Sequence, residues 1–232
     1  MCSYLAGGKG TRLRPYTIAM PKPLVPVGDY PIMEILIRQL AKYGFKRVII
    51  TVNHQADLIK TYFGNGEKWG IHIEYSLETK PLGTMGPLKL IDSLPDNFII
   101  TNGDILTDLD FGKFYENHVK NNRIFTISGY NRKHKVDYGV LHTDDAGVLN
   151  GFEEKPELDY TVSMGIYAAS KEIVQYIPED TYYGFDSLMM QLIGMQKKVT
   201  VDKFDGYWLD IGRPEDYQTA TERFEEEKEK FL

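Results

Sequence analysis

The chain has 232 residues, with 27 Lys and Arg against 33 Asp and Glu, and a formal net charge of -6. That balance argues against a general nucleic-acid binder, which carries a basic face, but leaves room for an anionic small substrate held by a few clustered cations. The single cysteine, Cys2, cannot close an intrachain disulfide; no apolar run approaches the roughly 20 residues that span a bilayer, and Tyr4-Leu5-Ala6 is too short for a signal-peptide core. The expectation is a cytoplasmic chain with no nucleic-acid and no membrane partner.

Met1 to Ala6 is predicted as a first strand, stopped by Gly7-Gly8. Pro31 to Tyr43 is predicted as a helix, with Pro31 in its first turn, apolar positions at Ile32, Ile35, Leu36 and Leu40, and Gly44 after its end. Arg47 to Val52 is β-branched and predicted as a buried parallel strand. A helix over 55–63, a strand over 71–75, a short helix over 84–91 and a strand over 97–101 follow. After a helix at 111–121 the character changes to strand-like runs at 124–130, 136–142, 148–154 and 162–168. Helices return at 171–176 and 185–195, then short strands near 199–201 and 207–209. Residues 214–232 are charged and helical by propensity, and the acidic and basic run 225–230 is expected to be solvated.

Strands alternating with helices predict an α/β fold: a Rossmann-like, mostly parallel sheet flanked by helices, with a small additional β region in the second half. No linker composition interrupts it, so 1–232 is expected to be one domain, with a nucleotide-binding half up to about residue 110 and a more mixed second half at 111–232.

Three glycines, Gly7, Gly8 and Gly10, follow the first strand and let the backbone turn sharply beside a ligand. Successive backbone N–H groups in such a turn form an anion-binding nest. Lys9, Arg12 and Arg14 add positive charge, and prolines stiffen the segment around Lys22 (Pro21-Lys22-Pro23). Gly-Gly-Lys-Gly alone would equally describe a solvated surface turn. It is neither a P-loop, lacking Gly-Lys-Ser/Thr, nor a dinucleotide fingerprint, since Leu13 stands where the third Gly belongs. Asp104 ends an apolar strand, where α/β folds place ligands, and Asp210 is a second carboxylate. Each taken singly would also fit a turn residue or a helix cap. Asp108 and Asp110 are better placed as turn and N-cap residues.

The run from Leu5 to Leu36 resembles the opening signature of the sugar nucleotidyltransferases, the nucleoside-diphosphate-sugar pyrophosphorylases. The resemblance continues through Pro81-Leu82-Gly83-Thr84-Met85-Gly86-Pro87, Asn102-Gly103-Asp104, Glu153-Glu154-Lys155-Pro156, Met164-Gly165-Ile166-Tyr167 and Trp208-Leu209-Asp210-Ile211-Gly212-Arg213-Pro214. It implies an enzyme that joins a nucleoside triphosphate to a sugar 1-phosphate with Mg²⁺. By that resemblance Leu5, Ala6, Gly7, Gly8, Gly10, Thr11, Arg12, Glu78, Pro81, Gly83, Thr84 and Gly103 bind nucleotide. Gly139, Glu154, Lys155 and Gly165 bind the sugar phosphate; Asp104 and Asp210 hold the metal; Arg12, Lys22 and Asp104 carry the chemistry.

The segment from Glu78 to Pro87 looks most like the mannose-1-phosphate guanylyltransferases, which typically have Ala where this chain has Met85. A carboxylate at Glu78 accepts from both donors on the guanine edge, which favours GTP. The 102–111 segment also resembles short uridylyltransferases for muramate-type sugars, and a heptose-1-phosphate guanylyltransferase has similar length. A regulatory paralogue that binds nucleotide sugar without turnover is the rival from another class. The resemblance leaves no left-handed β-helix domain expected after the catalytic domain, so a homodimer would use the catalytic domain itself.

Overall fold

A computed structural model describes residues 2–5, 10–52 and 56–232; for Cys2–Leu5 and Thr11 it describes the backbone alone. In chain order the elements are β1 (Cys2–Leu5), β2 (Pro26–Val27), β3 (Tyr30–Pro31), α1 (Ile32–Lys42), β4 (Arg47–Val52), α2 (Ala56–Phe63), β5 (His72–Leu77), β6 (Asn97–Asn102), β7 (Ile105–Thr107), α3 (Phe111–Lys120), β8 (Phe125–Lys135), β9 (Val140–Thr143), β10 (Leu149–Glu153), β11 (Glu157–Ser170), α4 (Phe185–Gly194), β12 (Val199–Phe204), β13 (Trp208–Asp210) and α5 (Pro214–Phe231). Among the described residues the central sheet has seven strands in the order β12-β8-β11-β6-β1-β4-β5. Only β11 runs against the others: it is antiparallel to β6 and β8, while β6, β1, β4 and β5 pair in parallel, as do β8 and β12. The expected α/β class, mixed but mostly parallel, is the observed one.

The sequence dictates this burial pattern. β4 (RVIITV) and the middle of β6 (FIIT) are covered on both faces, as parallel strands between helix layers must be. On one side, Met33, Leu36, Ile37 and Leu40 of α1 and Phe111 and Phe114 of α3 pack on Val48, Ile50, Val52 and Ile99. On the other, Leu188 and Leu192 of α4 and Leu88 of a short 3₁₀ turn pack on Ile49, Phe98 and Ile100. Each such side chain contributes on the order of 2 kcal/mol by leaving water.

Glu34, buried in the first turn of α1, accepts from Arg38 one turn on, and ties α1 to α2 through Tyr62 and to the turn at 67–69 through Trp69 (3.2 Å). Burial pushes its carboxyl upward, but those hydrogen bonds outweigh burial and hold the pKa below its usual value.

Several boundaries differ from expectation. Pro31 lies in β3, one residue before α1, with extended backbone (ψ 144°), rather than in the first turn. The helix expected over 84–91 is a 3₁₀ turn, Gly86–Leu90: Gly86 is a poor helix former and Pro87 lacks the donor a longer helix needs. Residues 171–176 are likewise 3₁₀. β8 and β11 run far beyond the apolar runs at 124–130 and 162–168. Their outer rungs, from Asn131↔Thr161 to Lys135↔Glu157, form a two-stranded arm. β9 and β10 pair as a separate antiparallel hairpin, the small β region of the second half. The run 225–230 is exposed at Glu225, Glu226, Glu229 and Lys230, but Phe224 and Phe231 on either side are fully buried against Leu13, Val25, Val27 and Ile35.

Candidate active site

The site is assembled at the carboxyl ends of the parallel strands. β6 delivers Asn102-Gly103-Asp104 into a turn, and β7 then pairs antiparallel with β13, which carries Asp210 opposite Ile105. Ile211 N–H donates to the Asp104 carbonyl at 3.0 Å, locking the two aspartate segments together although 106 positions separate them. Gly103 allows this: a Cβ there would stand 2.7 Å from the Met33 methyl group of α1.

Lys22 donates to Asp104 Oδ2, so this cation and this carboxylate occupy one locus. The other oxygen, Asp104 Oδ1, is buried with no hydrogen-bond partner among the described residues. Asp210 keeps one side open to solvent, yet the protein packed around it and, next, the charge of Asp104 hold its pKa above the usual carboxylate value; Lys22 and Arg12 oppose that rise. Arg12 reaches the same place. A Cβ on Gly212 would be 3.7 Å from an Asp210 carboxylate oxygen and 3.9 Å from an Arg12 guanidinium nitrogen. Arg12, Lys22, Asp104 and Asp210 therefore converge from four separate segments. Two mutually repelling carboxylates, one with a buried oxygen lacking a partner, fit a hard divalent cation, which takes carboxylate oxygens and completes its shell with phosphate and water. Among the described residues no group of three or more His, Cys, Asp or Glu could hold a metal, so a site built on this pair relies on substrate oxygens.

Gly10 adopts a left-handed backbone (φ 56°), and its carbonyl accepts from Leu13 N–H (3.0 Å) and the Thr17 hydroxyl (2.6 Å). Leu5 and Thr11 are described by backbone only; Ala6, Gly7, Gly8 and Lys9 lie outside the described residues.

Glu78 is buried just past β5, and its carboxylate accepts weakly from Leu82 N–H (3.4 Å). Burial raises its pKa, with that N–H opposing. Pro81 leads into Gly83, whose left-handed backbone (φ 77°) lies so close to the Tyr183 backbone that a Cβ would meet its carbonyl carbon at 2.9 Å. The Tyr183 carbonyl accepts from both Met85 and Gly86 N–H, and Thr84 Oγ1 accepts from Phe185 N–H at 2.7 Å. This loop is thus fastened to the start of α4. The N-cap of α4 is Gly184, and Asp186 lies in its first turn.

On the other side, Gly139 and Glu154 meet. A Cβ on Gly139 would lie 3.3 Å from a Glu154 carboxylate oxygen and 2.7 Å from the Phe152 ring. Lys155 is exposed and takes a left-handed backbone (φ 47°), uncommon outside glycine and worth attention at a candidate site. Gly165 (φ 73°) lies against the Asn102-Gly103-Asp104 turn, where a Cβ would stand 2.7 Å from the Asn102 amide nitrogen. Asp108 accepts from Tyr207 N–H (2.7 Å) and Asp110 caps α3 through Lys113 N–H (2.9 Å), as expected of turn and cap residues.

Three contributors were not singled out from sequence. Trp208 shares the face of β13 with Asp210 by period two, and its indole N–H donates to the Met164 carbonyl at 3.0 Å. Asn102 packs on Gly165. Asp216 lies near enough to Asp210 to raise its pKa. The i, i+2 spacing of Trp208 and Asp210 was the available signal; Asp216 had none, since its side chain is recruited as a capping-box partner of Arg213 N–H (2.9 Å).

Two cations and two carboxylates are thus gathered where the parallel strand β6 ends, the place at which α/β folds hold their ligands. The chain belongs to the nucleotidyl transferase family, whose model matches residues 4–227. It is 35% identical over 236 residues to a UTP–glucose-1-phosphate uridylyltransferase of Synechocystis sp., matching 93% of this chain and 61% of that protein, so it spans about three fifths of that relative's length. It is 33% identical to the D-glycero-alpha-D-manno-heptose 1-phosphate guanylyltransferase of Aneurinibacillus thermoaerophilus, over 93% of this chain and 94% of that one. The crystal structure of HddC from Yersinia pseudotuberculosis superposes with a TM-score of 0.74 at 30% identity, covering 96% of this chain and 98% of the other. Nucleotidyltransferases of this family generally use a divalent metal. Among the described residues no helix is long and apolar enough to cross a membrane.

Proposed function

We propose that this chain, acting as one catalytic domain, condenses a nucleoside triphosphate with a sugar 1-phosphate to give a nucleoside-diphosphate sugar and pyrophosphate. GTP and a manno-configured hexose or heptose 1-phosphate are the favoured pair. The observation that carries the reading is the convergence of Arg12 and Lys22 on Asp104 and Asp210, with Asp104 Oδ1 left for a ligand.

A sugar phosphate oxygen attacks the α-phosphorus, the new P–O bond forms, and the bond to the β-phosphate oxygen breaks to release pyrophosphate. A phosphate monoester has its second pKa near ~6, so the nucleophile is already mostly dianionic at neutral pH and no general base is required. Catalysis is alignment and charge neutralisation. Arg12 grips the β- and γ-phosphates and the charge growing on the leaving group. Lys22, held at Asp104, neutralises the attacking and α-phosphates together. Lys155 meets the sugar phosphate as a point charge, and Glu154 and the backbone at Gly139 accept and donate to the sugar hydroxyls. Asp104 and Asp210 would hold Mg²⁺, which when bound supplies charge neutralisation on the phosphate oxygens. The Gly7-to-Thr11 loop cradles the triphosphate, and Glu78 reads the base.

Asp104→Ala and Arg12→Ala test the reading. Each should reduce turnover at least about 100-fold, the scale of losing a transition-state charge partner, while the folded melting transition survives. Near-normal turnover in either variant would remove that residue from its role. A uridylyl transfer to a glucose-type sugar is the second reading, favoured by the likeness to the Synechocystis protein.

A further inference from the structure

Between Arg12 and Lys22 the chain makes an excursion in which Arg14, Pro15, Tyr16, Ile18, Ala19 and Met20 are all exposed. Its internal hydrogen bonds (Tyr16 N–H to the Leu13 carbonyl at 3.2 Å, Ile18 N–H to the Pro15 carbonyl at 3.2 Å, and the hydroxyl of buried Thr17 to the Gly10 carbonyl at 2.6 Å) close the loop on itself without tying it to α5. Two contacts with α5 do fasten it. Leu13, fully buried, belongs to the apolar cluster that Phe224 of α5 completes, and the Tyr16 ring packs on Tyr217 with centroids 4.6 Å apart. Tyr217 lies in the opening turn of α5, where its N–H donates to the Arg213 carbonyl at 3.0 Å. That turn begins directly after Gly212, the residue approached by both Arg12 and Asp210. The start of α5 therefore abuts the metal-carboxylate strand at one end and the excursion at the other.

We propose that Tyr217 is a positioning residue for the triphosphate side of the reaction: through Tyr16 it holds the excursion that starts at Arg12, so that the guanidinium is already aimed when nucleotide arrives. The proposal rests on the nucleotidyltransferase reading for what Arg12 grips. It separates from a merely structural role because Arg12, at the near end of the excursion, serves the nucleotide alone, whereas Lys22 at the far end, which also meets the sugar phosphate, is tied by its own ion pair to Asp104. Loss of the Tyr217 ring lets the excursion wander and dilutes the productive Arg12 geometry, whereas the Glu154-Lys155 turn stands on other elements.

The test compares Tyr217→Ala, Tyr217→Phe and, as a control on the exposed side of α5, Gln218→Ala. KM is measured for GTP and for the sugar 1-phosphate separately, and affinity for Mg²⁺ with a fluorescent GTP analogue is read by titration without sugar. Tyr217→Ala should raise the nucleotide KM and dissociation constant by roughly three- to tenfold, the range an aromatic pair covers. The sugar 1-phosphate KM should stay within about twofold, and Tyr217→Phe and Gln218→Ala should match the parent. Equal rises in both KM values, an unchanged nucleotide affinity, or failure of Tyr217→Phe to restore it would overturn the proposal. A parent protein that binds the analogue but turns over no substrate pair would instead sink the enzymatic reading, and the titration would still decide the part played by Tyr217.

Discussion

Acidification should destabilise this protein through one histidine. His118 sits fully buried on α3 with Nδ1 2.8 Å from the Thr126 hydroxyl, and its Nε2 has no partner among the described residues. Burial first, then the nearby Arg123 charge, depress its pKa from 6.5 to about 4, while Asp202 pulls weakly the other way. Because the folded pKa lies below the unfolded one, protons bind preferentially to the unfolded chain as the pH falls. The contribution is intact above about pH 6.5 and is lost on the way down through pH 4. A difference of 2.5 units corresponds to about 3 kcal/mol in full, of which about 2 kcal/mol is lost between pH 7 and pH 5. For a chain of this size that is a fall in melting temperature of roughly 4–8 °C. The assay is thermal unfolding at half-unit pH steps for the parent and His118→Phe, which removes the titrating group and keeps the bulk. The difference between the two curves isolates His118 from the carboxylates, and it should bend between pH 6.5 and 4. Parallel curves would refute the claim that burial holds this ring neutral.

Three further outcomes follow from the geometry. Gly165→Ala forces a Cβ against the Asn102 amide from a left-handed backbone; it should cost about 1–3 kcal/mol in chemical unfolding and lower kcat, and a neutral result would show that β11 yields there without disturbing Asp104. Glu78→Gln, which removes the carboxylate proposed to read the base, should cut kcat/KM for GTP by about tenfold relative to UTP; an unchanged ratio would take base reading away from Glu78. Asp110→Ala should lower stability by about 1 kcal/mol through loss of the α3 cap and leave kcat unaltered, so a collapse of turnover would show that Asp110 does more than cap α3.

The buried parallel strands were legible because burial on both faces writes itself as continuous β-branched sequence: 47–52 was read to the residue. The arm made by the outer rungs of β8 and β11 was not: Arg132 to Lys135 is wholly polar, and although Leu158 and Tyr160 alternate with Glu157 and Asp159, all four are exposed and bury no face, so it is their pairing with 132–135 that reveals the arm. Thr84-to-Gly86 read as the start of a helix because propensity is local, whereas the Tyr183 carbonyl that captures two of its amides lies about a hundred positions away. The candidate site was readable as residue types in order. Its assembly was not: that Lys22 meets Asp104, that Asp210 pairs beside Ile105 through β7 and β13, and that Trp208 and Asp216 stand close by are long-range facts which no window of sequence contains.

The central claim is nucleotidyl transfer to a sugar 1-phosphate. Pyrophosphate release with Mg²⁺, crossing GTP, UTP, CTP, dTTP and ATP against mannose, heptose, glucose and N-acetylmuramate 1-phosphates, tests it most directly. The account predicts pyrophosphate formed only when both substrates are present, fastest with GTP and a manno-configured sugar, and abolished by Asp104→Ala. Nucleotide-sugar binding without pyrophosphate from any pair would contradict it and leave a regulatory paralogue in its place.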